Sequence, residues 1–420
     1  MNRKLLALAV AGALAPAAAM AQTSNVVLSG QMKLGYEYLQ PDGANSNAGA
    51  TQSFDTGRVA NETSFVRFSG SEDLGGGLRA VFQIESSING DTQGGLWSSR
   101  NTGVGLSSAA LGTLMFGRWD AYYNWHTPVE GAGFGGNALA LKANSLNLLN
   151  WSNGQGIAGD RLSNVIRYVT PNWRGFEVEA IYSLDSEPIS PGGVNRDQQG
   201  KPWEGAVVGR WLSGPFAAFG AYMRRQNQGL QVANYGNISQ GGNDGLLAAQ
   251  LIGGQNGNAL PANMGTLNMD AFRFGGAWTF GFGTGFNLKI GGIGDYIDWE
   301  GAFNNNQSKL SSKRWAWSVP LSLAFGPSTI FGTWAIAQDA KGNYNCLAAN
   351  TRGCTGSDTG AQMWMIGYDY ALSKRTSVGA DWVLIDNRGN GYYDFWTRGV
   401  GTDTAGKDPS SFYVGMRHLF

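Results

Sequence analysis

The chain carries few side chains suited to chemistry. His126 and His418 are its two histidines in 420 residues. A hydrolase needs a nucleophile beside a base, and a third group that orients the base. His126 could face Ser145 or Ser163, yet neither serine stands at a spacing that singles it out. Runs such as Gly103-Val104-Gly105 lack the strand–loop–helix setting of a phosphate cradle. The polar segments do not show the dense acidic spacing of a calcium loop. These residues point away from an enzyme and imply no cofactor.

Cys346 and Cys354 stand in a polar segment rich in Gly and Asn. An exported chain meets an oxidising compartment, where a local disulfide forms. A metal site is the weaker reading, because zinc takes four ligands and no histidine lies nearby.

Charges placed at alternate positions are more informative. Leu78, Ala80, Phe82 and Ile84 alternate with Arg79, Val81, Gln83 and Glu85. Leu162, Ile166 and Tyr168 alternate with Arg161, Ser163, Val165 and Arg167. Val26, Leu28, Met32, Leu34 and Tyr36 share one parity, while Gln31, Lys33 and Glu37 share the other. Period two gives a strand one apolar and one polar face. A dry sandwich core would not accept so many charges; a water-filled lumen behind a lipid-facing wall would.

Composition agrees. Glycine is 64 of 420 residues, about twice its usual share. Charged residues are 14%, against about 25% in ordinary soluble chains. The formal net charge is zero, which gives no argument for nucleic-acid binding. Met1-Asn2-Arg3-Lys4, the apolar run from Leu5 and Ala19-Met20-Ala21 have the three parts of a secretory signal peptide. Residues 1–21 are expected to be that signal and 22–420 the barrel.

Counting alternating segments predicts sixteen strands, near 25–38, 62–71, 77–88, 100–109, 112–118, 161–170, 175–184 and 203–213, then 215–226, 270–280, 284–298, 313–325, 328–338, 361–372, 375–387 and 410–420. The expected fold is all-β: a sixteen-stranded antiparallel transmembrane barrel. Its connections alternate between tight turns, such as Ser213-Gly214-Pro215 and Gly326-Pro327, and long polar loops near 39–61, 89–99, 119–160, 185–202, 227–269, 299–312, 339–360 and 388–409. Gly and Pro supply the turn geometry. All short turns then fall at one end and all long loops at the other, as in outer-membrane barrels.

Several segments resemble the trimeric general porins of Gram-negative bacteria, in the form common among betaproteobacteria. They are Val27-Leu28-Ser29-Gly30, Arg67-Phe68-Ser69-Gly70-Ser71-Glu72-Asp73-Leu74-Gly75-Gly76-Gly77-Leu78, Val104-Gly105-Leu106-Ser107, Leu114-Met115-Phe116-Gly117-Arg118, Ile166-Arg167-Tyr168-Val169-Thr170-Pro171-Asn172 and Val414-Gly415-Met416-Arg417-His418-Leu419-Phe420. The resemblance implies an outer-membrane homotrimer for passive diffusion of small hydrophilic solutes and ions. Its expected surroundings are outer-membrane lipid and lipopolysaccharide. It also implies that barrel-insertion machinery reads the C-terminal strand ending in Phe420.

The family folds its third long loop into the lumen. The matching segment here is about 119–160. It holds Phe134, Gly135, Gly136 and Asn137, similar to the family's Pro-Glu-Phe-Gly-Gly-Asp motif with Gly133 and Asn137 in place of its acids. Asp120 and Glu130 are the acids left in the near half of the loop. By the same resemblance Arg100, Arg118 and Arg161 fall at or near the basic wall facing this loop. Arg67, Arg79 and Arg167 are inward by parity, and so is Lys33. Opposed charges across a narrow pore orient dipolar solutes and select ions; with loop acids depleted, weak anion preference is expected. Each arginine can equally be a salt-bridged wall charge.

Three functions remain open: a general porin, a porin tuned to one solute class such as organic acids or sugars, and a pore-free adhesin or structural barrel. Trp119, Tyr122, Tyr123 and Trp125 either line a solute path or pack the loop against the wall.

Overall fold

The computed structural model describes residues 25–42, 55–92, 97–122, 124–130, 144–151, 161–183, 203–229, 264–283, 285–303, 308–343, 356–395 and 406–420. The expected signal at 1–21, the residues Phe134, Gly135, Gly136 and Asn137, and Cys346 and Cys354 lie outside the described residues.

Sixteen antiparallel strands close into a barrel. They are β1 (Asn25–Asp42), β2 in two pieces (Thr56–Asn61 and Phe65–Gly75), β3 (Leu78–Ser87), β4 (Thr102–Ser108), β5 (Gly112–Asp120), β6 (Arg161–Val169), β7 (Phe176–Ser183) and β8 (Trp203–Ser213). β9 (Phe216–Gly229), β10 (Met264–Phe282), β11 (Phe286–Phe303) and β12 (Ser308–Phe325) follow, then β13 in two pieces (Ser328–Ala337 and Lys341–Gly342), β14 (Ala361–Ala371), β15 (Thr376–Asn387) and β16 (Asp408–Leu419). Each strand pairs with the next, and β16 returns to β1 with Lys33 opposite Arg417. Closure leaves no edge whose N–H and C=O groups would face lipid.

The two faces separate as the alternation requires. Phe412, Val414 and Met416 are exposed, while Tyr413 between them is buried. Phe272, Phe274 and Trp278 point outward on β10, with Ala271, Arg273 and Ala277 buried behind them. The buried apolar cluster lies on the inner side. It joins inward residues such as Ile293, Ala316 and Met363 to Tyr122, Trp125 and Leu148 of the segment after β5.

The expected boundaries change most at three places. The second strand starts at Thr56 rather than at 62, and is interrupted at Glu62 to Ser64. Thr63 has a φ of 62° there, and Ser64 Oγ accepts from the Lys33 N–H in the ladder's place. The loop expected at 299–312 is mostly strand, with Phe303 paired to Ser308. The third change is at β10, which begins at Met264 rather than 270. Polar residues such as Glu300 and Ser311 suggested a loop there, yet a strand that rises beyond lipid can be polar on its outer face.

Candidate pore site

β5 ends at Asp120, which holds the root of the following segment. Its carboxylate accepts from Asn101 Nδ2 and Asn124 Nδ2, each at 3.0 Å, and pairs with Arg161 Nε at 2.6 Å. The chain then forms two single helical turns, α1 (Thr127–Glu130) and α2 (Leu146–Leu149).

Glu130 joins the two turns. It pairs with His126 at 2.7 Å, with both side chains buried. Its other oxygen accepts from the Ser145 N–H at 2.8 Å and from Ser145 Oγ at 2.7 Å. Burial works against ionising Glu130, but the hydrogen bond and charge of His126 and the two bonds from Ser145 outweigh it. The carboxyl is held below its ordinary value of 4.5. Ser145 Oγ also lies 2.6 Å from Ser318 Oγ on β12. The order is serine–glutamate–histidine, so the buried acid stands where a hydrolytic relay needs the imidazole.

The segment is tied to the inner rows of distant strands. Tyr122 Oη donates to Asp295 on β11 at 3.2 Å. Arg273 on β10 reaches Asp295 at 2.8 Å and Asn150 Oδ1 at 2.9 Å, with its guanidinium over the Tyr122 ring. Arg314 on β12 donates to the Leu149 carbonyl at 2.9 Å, and its guanidinium lies over the Trp151 ring. Lys289 donates to the Pro128 carbonyl at 2.6 Å. Asn147 meets Met363 on β14. Gly291 permits the close approach: a Cβ there would stand 2.9 Å from Val129 Cγ1. Tyr122 and Trp125 are buried, and Arg210 lies over the Trp125 ring.

The wall arginines are not a bare positive row. Arg67 pairs with Glu85 at 2.5 Å, and Arg100 shares the same carboxylate. Both guanidiniums lie over the Phe65 ring at 5.1 Å. Arg167 and Arg210 are bridged by Glu179 at 2.7 and 2.6 Å. Arg225 pairs with Glu204 on the buried inner side. Lys33 is buried near Glu62, Arg417 and Asp381. Arg79 is exposed near the first turn and bonds Ser71. Arg118 bonds Ser163 Oγ at 2.5 Å, beside a register shift at Gly117 and Trp119.

Sequence reading placed the arginines but passed over Glu179, Glu204 and Asp295 as their partners. Glu85, inward by parity, showed the kind of signal available. A polar cavity of about 170 Å³ opens between the segment root and β6–β8. Asp120, Asn124, Trp125, Arg167, Glu179 and Arg210 contribute to its lining, whereas Arg118 does not. Phe420, beyond β16, lies at the seam, bonded to Gly30.

Residues 7–390 match the family described as Gram-negative porin. An outer membrane porin of Bordetella pertussis is 29% identical over 74% of this chain and 73% of its own length. Outer membrane porin protein 32 of Delftia acidovorans is 26% identical over the whole of both chains. Among solved structures, an anion-selective porin from Comamonas acidovorans superposes with a TM-score of 0.61 at 20% identity, covering 94% of this chain and 100% of its own. The trimer form of OmpT from Vibrio cholerae gives 0.57 at 14% identity, covering 94% and 99%.

Proposed function

The chain belongs to the Gram-negative porin family, and from that premise we propose that the 119–160 segment narrows the lumen of a general diffusion channel. The protein is an outer-membrane porin, and its family and fold point to a channel rather than an enzyme. One observation carries the reading of the segment. It leaves β5, yet its side chains and carbonyls bond to inward residues on β10, β11, β12 and β14. Those contacts support a segment that crosses the barrel's interior. Planar-bilayer recording tests this. Removing 124–150 should raise single-channel conductance several-fold, and unchanged conductance would refute it.

Weak anion preference follows from the charges around the passage. Asp120 and Glu130 are engaged by Arg161 and His126, whereas Glu85 is shared by two arginines. A reversal potential showing strong cation preference would overturn it. The pore residues in this reading are Arg67, Arg100, Arg161 and Arg167 on the wall, with Asp120 at the segment root, whereas Lys33 and Glu130 are buried behind the water-facing surface. Burial of Tyr122 and Trp125 favours packing over a solute path. A porin tuned to one solute class would instead show saturable flux.

A homotrimer fits the outer surface. The exposed strand tryptophans, from Trp211 to Trp382, all lie on β8 to β15. The outer face of β1–β5 presents Val26, Leu28, Ile84, Val104 and Leu106 instead. Tryptophan anchors to lipid headgroups, so a run of outward strand tryptophans on β8 to β15, against mainly aliphatic outward residues on β1–β5, suits a trimer in which β1–β5 is covered by neighbouring subunits. Cross-linking should give a trimer. Cleavage after residue 21, a Cys346–Cys354 disulfide and recognition of Phe420 by insertion machinery complete the proposal. N-terminal sequencing and the mass change on reduction test the first two.

A further inference from the structure

Arg314 on β12 is the meeting point of two long loops. Its Nη2 donates to the Leu149 carbonyl at 2.9 Å. Its guanidinium lies over the Trp151 ring at 5.0 Å and over the Tyr393 ring at 5.6 Å. Leu149 and Trp151 belong to the segment after β5, and Tyr393 to the loop between β15 and β16. Asn387 anchors that last loop. Its Nδ2 donates to the Tyr393 and Lys407 carbonyls, and its Oδ1 accepts from the Tyr393 N–H at 2.8 Å. Trp151 and Tyr393 thereby join one buried cluster on the inner side of the barrel.

This junction holds more donors than acceptors. Arg314 is 2% exposed, and its Nε and Nη1 have no acceptor among the described residues. Tyr393 Oη and Asn150 Nδ2 are also buried without a partner there. Asp295 Oδ1 is the acceptor left over beside them. Charge is unbalanced in the same sense. The Asp295 carboxylate pairs with Arg273 at 2.8 Å and is also acted on by Arg314, so two guanidiniums share one acid. The neighbouring acids are committed elsewhere. Asp339 binds Arg388 and the Gly360 N–H, and Asp394 accepts from the Phe395 N–H. A buried charge is costly unless it is both paired and hydrogen-bonded. A water would take the hydrogen bonds but leave the charge; an anion answers both.

We propose that Arg314, Tyr393 and Asn150 hold a small monovalent anion, of the size and charge of chloride, between the two loops. The donors arrive from three parts of the chain: β12, the segment after β5 and the last loop. A halide accepts from any direction, so it meets all three without a preferred orientation. The aromatic rings cover guanidinium faces and leave the edges of Arg314 for the ion. Occupied, the site neutralises Arg314 and ties the last loop to the segment. It is buried away from the water-facing wall, so it is a structural site and not a station on a conduction path. The inference rests on these contacts and does not need the segment to narrow the lumen.

Bromide is the probe, because it resembles chloride and scatters X-rays anomalously. The full-length chain is refolded in detergent with sodium bromide as its only salt, so that a closed site fills during folding, and is then crystallised. An anomalous peak within hydrogen-bond reach of Arg314 Nε or Nη1 is expected. A map without bromide at Arg314, whether or not other arginines bind it, would overturn the proposal. Thermal unfolding gives a second reading. At equal ionic strength, which equalises screening, the native chain should unfold several degrees higher in chloride than in gluconate, an anion too bulky for the site. Tyr393→Phe should raise the chloride needed for the same stabilisation about tenfold, the loss of one hydrogen bond to a charged group. Tyr413→Phe removes another buried phenol without a partner, on β16, and should keep the native chloride dependence. Equal chloride dependence of Tyr393→Phe and the native chain would also overturn the proposal. The bromide map uses the native chain, so it decides the question even where Tyr393→Phe fails to fold.

Discussion

Gly30 and Phe420 seal the barrel by exchanging both backbone hydrogen bonds, at 3.0 and 3.2 Å. A Cβ on Gly30 would stand 2.6 Å from the Phe420 ring and 2.4 Å from the Phe65 carbonyl. No side chain fits there while the seam is closed. Gly30→Val should therefore part β1 from the last residue and abolish most insertion into lipid vesicles. Deleting Phe420 should do the same by removing both bonds. Gly292→Ala is the control, because nothing stands within 4 Å of its added Cβ. Equal insertion yields for Gly30→Val and Gly292→Ala would refute this account of closure.

Glu179 holds two guanidiniums, those of Arg167 and Arg210. Glu179→Gln removes one negative charge from the wall beside the cavity while leaving both arginines. Chloride should then be favoured over potassium by about tenfold more than in the native pore, because one charge at ~6 Å in water shifts each ion by about 0.7 kcal/mol in opposite directions. High salt should erase the difference by screening. The reversal potential in a potassium chloride gradient reads this directly, and a shift toward potassium would contradict it.

Much of this architecture is legible from alternation and turn residues alone, because period two fixes which face each side chain takes. Val414 outward and Tyr413 inward need no knowledge of the neighbouring strand. The ion pairs are another matter. Arg67 meets Glu85 because they are cross-strand partners, a register that alternation within one strand does not specify. Tyr122 and Asp295 are 173 positions apart, and nothing local to either residue announces the other. The upper parts of β10 to β12 escaped notice because polar side chains such as Glu300 resemble loop composition.

Acid should loosen the two helical turns. The Glu130 carboxyl is held below 4.5 in the folded chain, so its contribution is fully present above that ordinary value. It is lost as pH falls through the lowered folded value. Thermal unfolding of native protein and Glu130→Gln should differ most near neutral pH, with the native chain more stable, and converge in strong acid. A gap that widened on acidification would have the wrong sign for a carboxylate held ionised by its neighbours.

Arg273 is the tether whose removal is most informative. Its guanidinium is fully buried against Asp295, bonds Asn150 and covers the Tyr122 ring. Arg273→Ala strands the Asp295 carboxylate in a buried place, a change that costs about 3–5 kcal/mol. It also frees the segment from β10. Lower unfolding temperature and noisier, larger single-channel currents are both expected. Arg273→Met with Asp295→Leu separates the two effects. Replacing a buried pair by apolar side chains is often neutral or stabilising, so stability should return. The bond to Asn150 does not return, and the bond from Tyr122 to Asp295 is lost as well, so the current noise should persist. Quiet currents in the stable double variant would mean that the segment is held by its other contacts, from Lys289 to Pro128 and from Arg314 to Leu149.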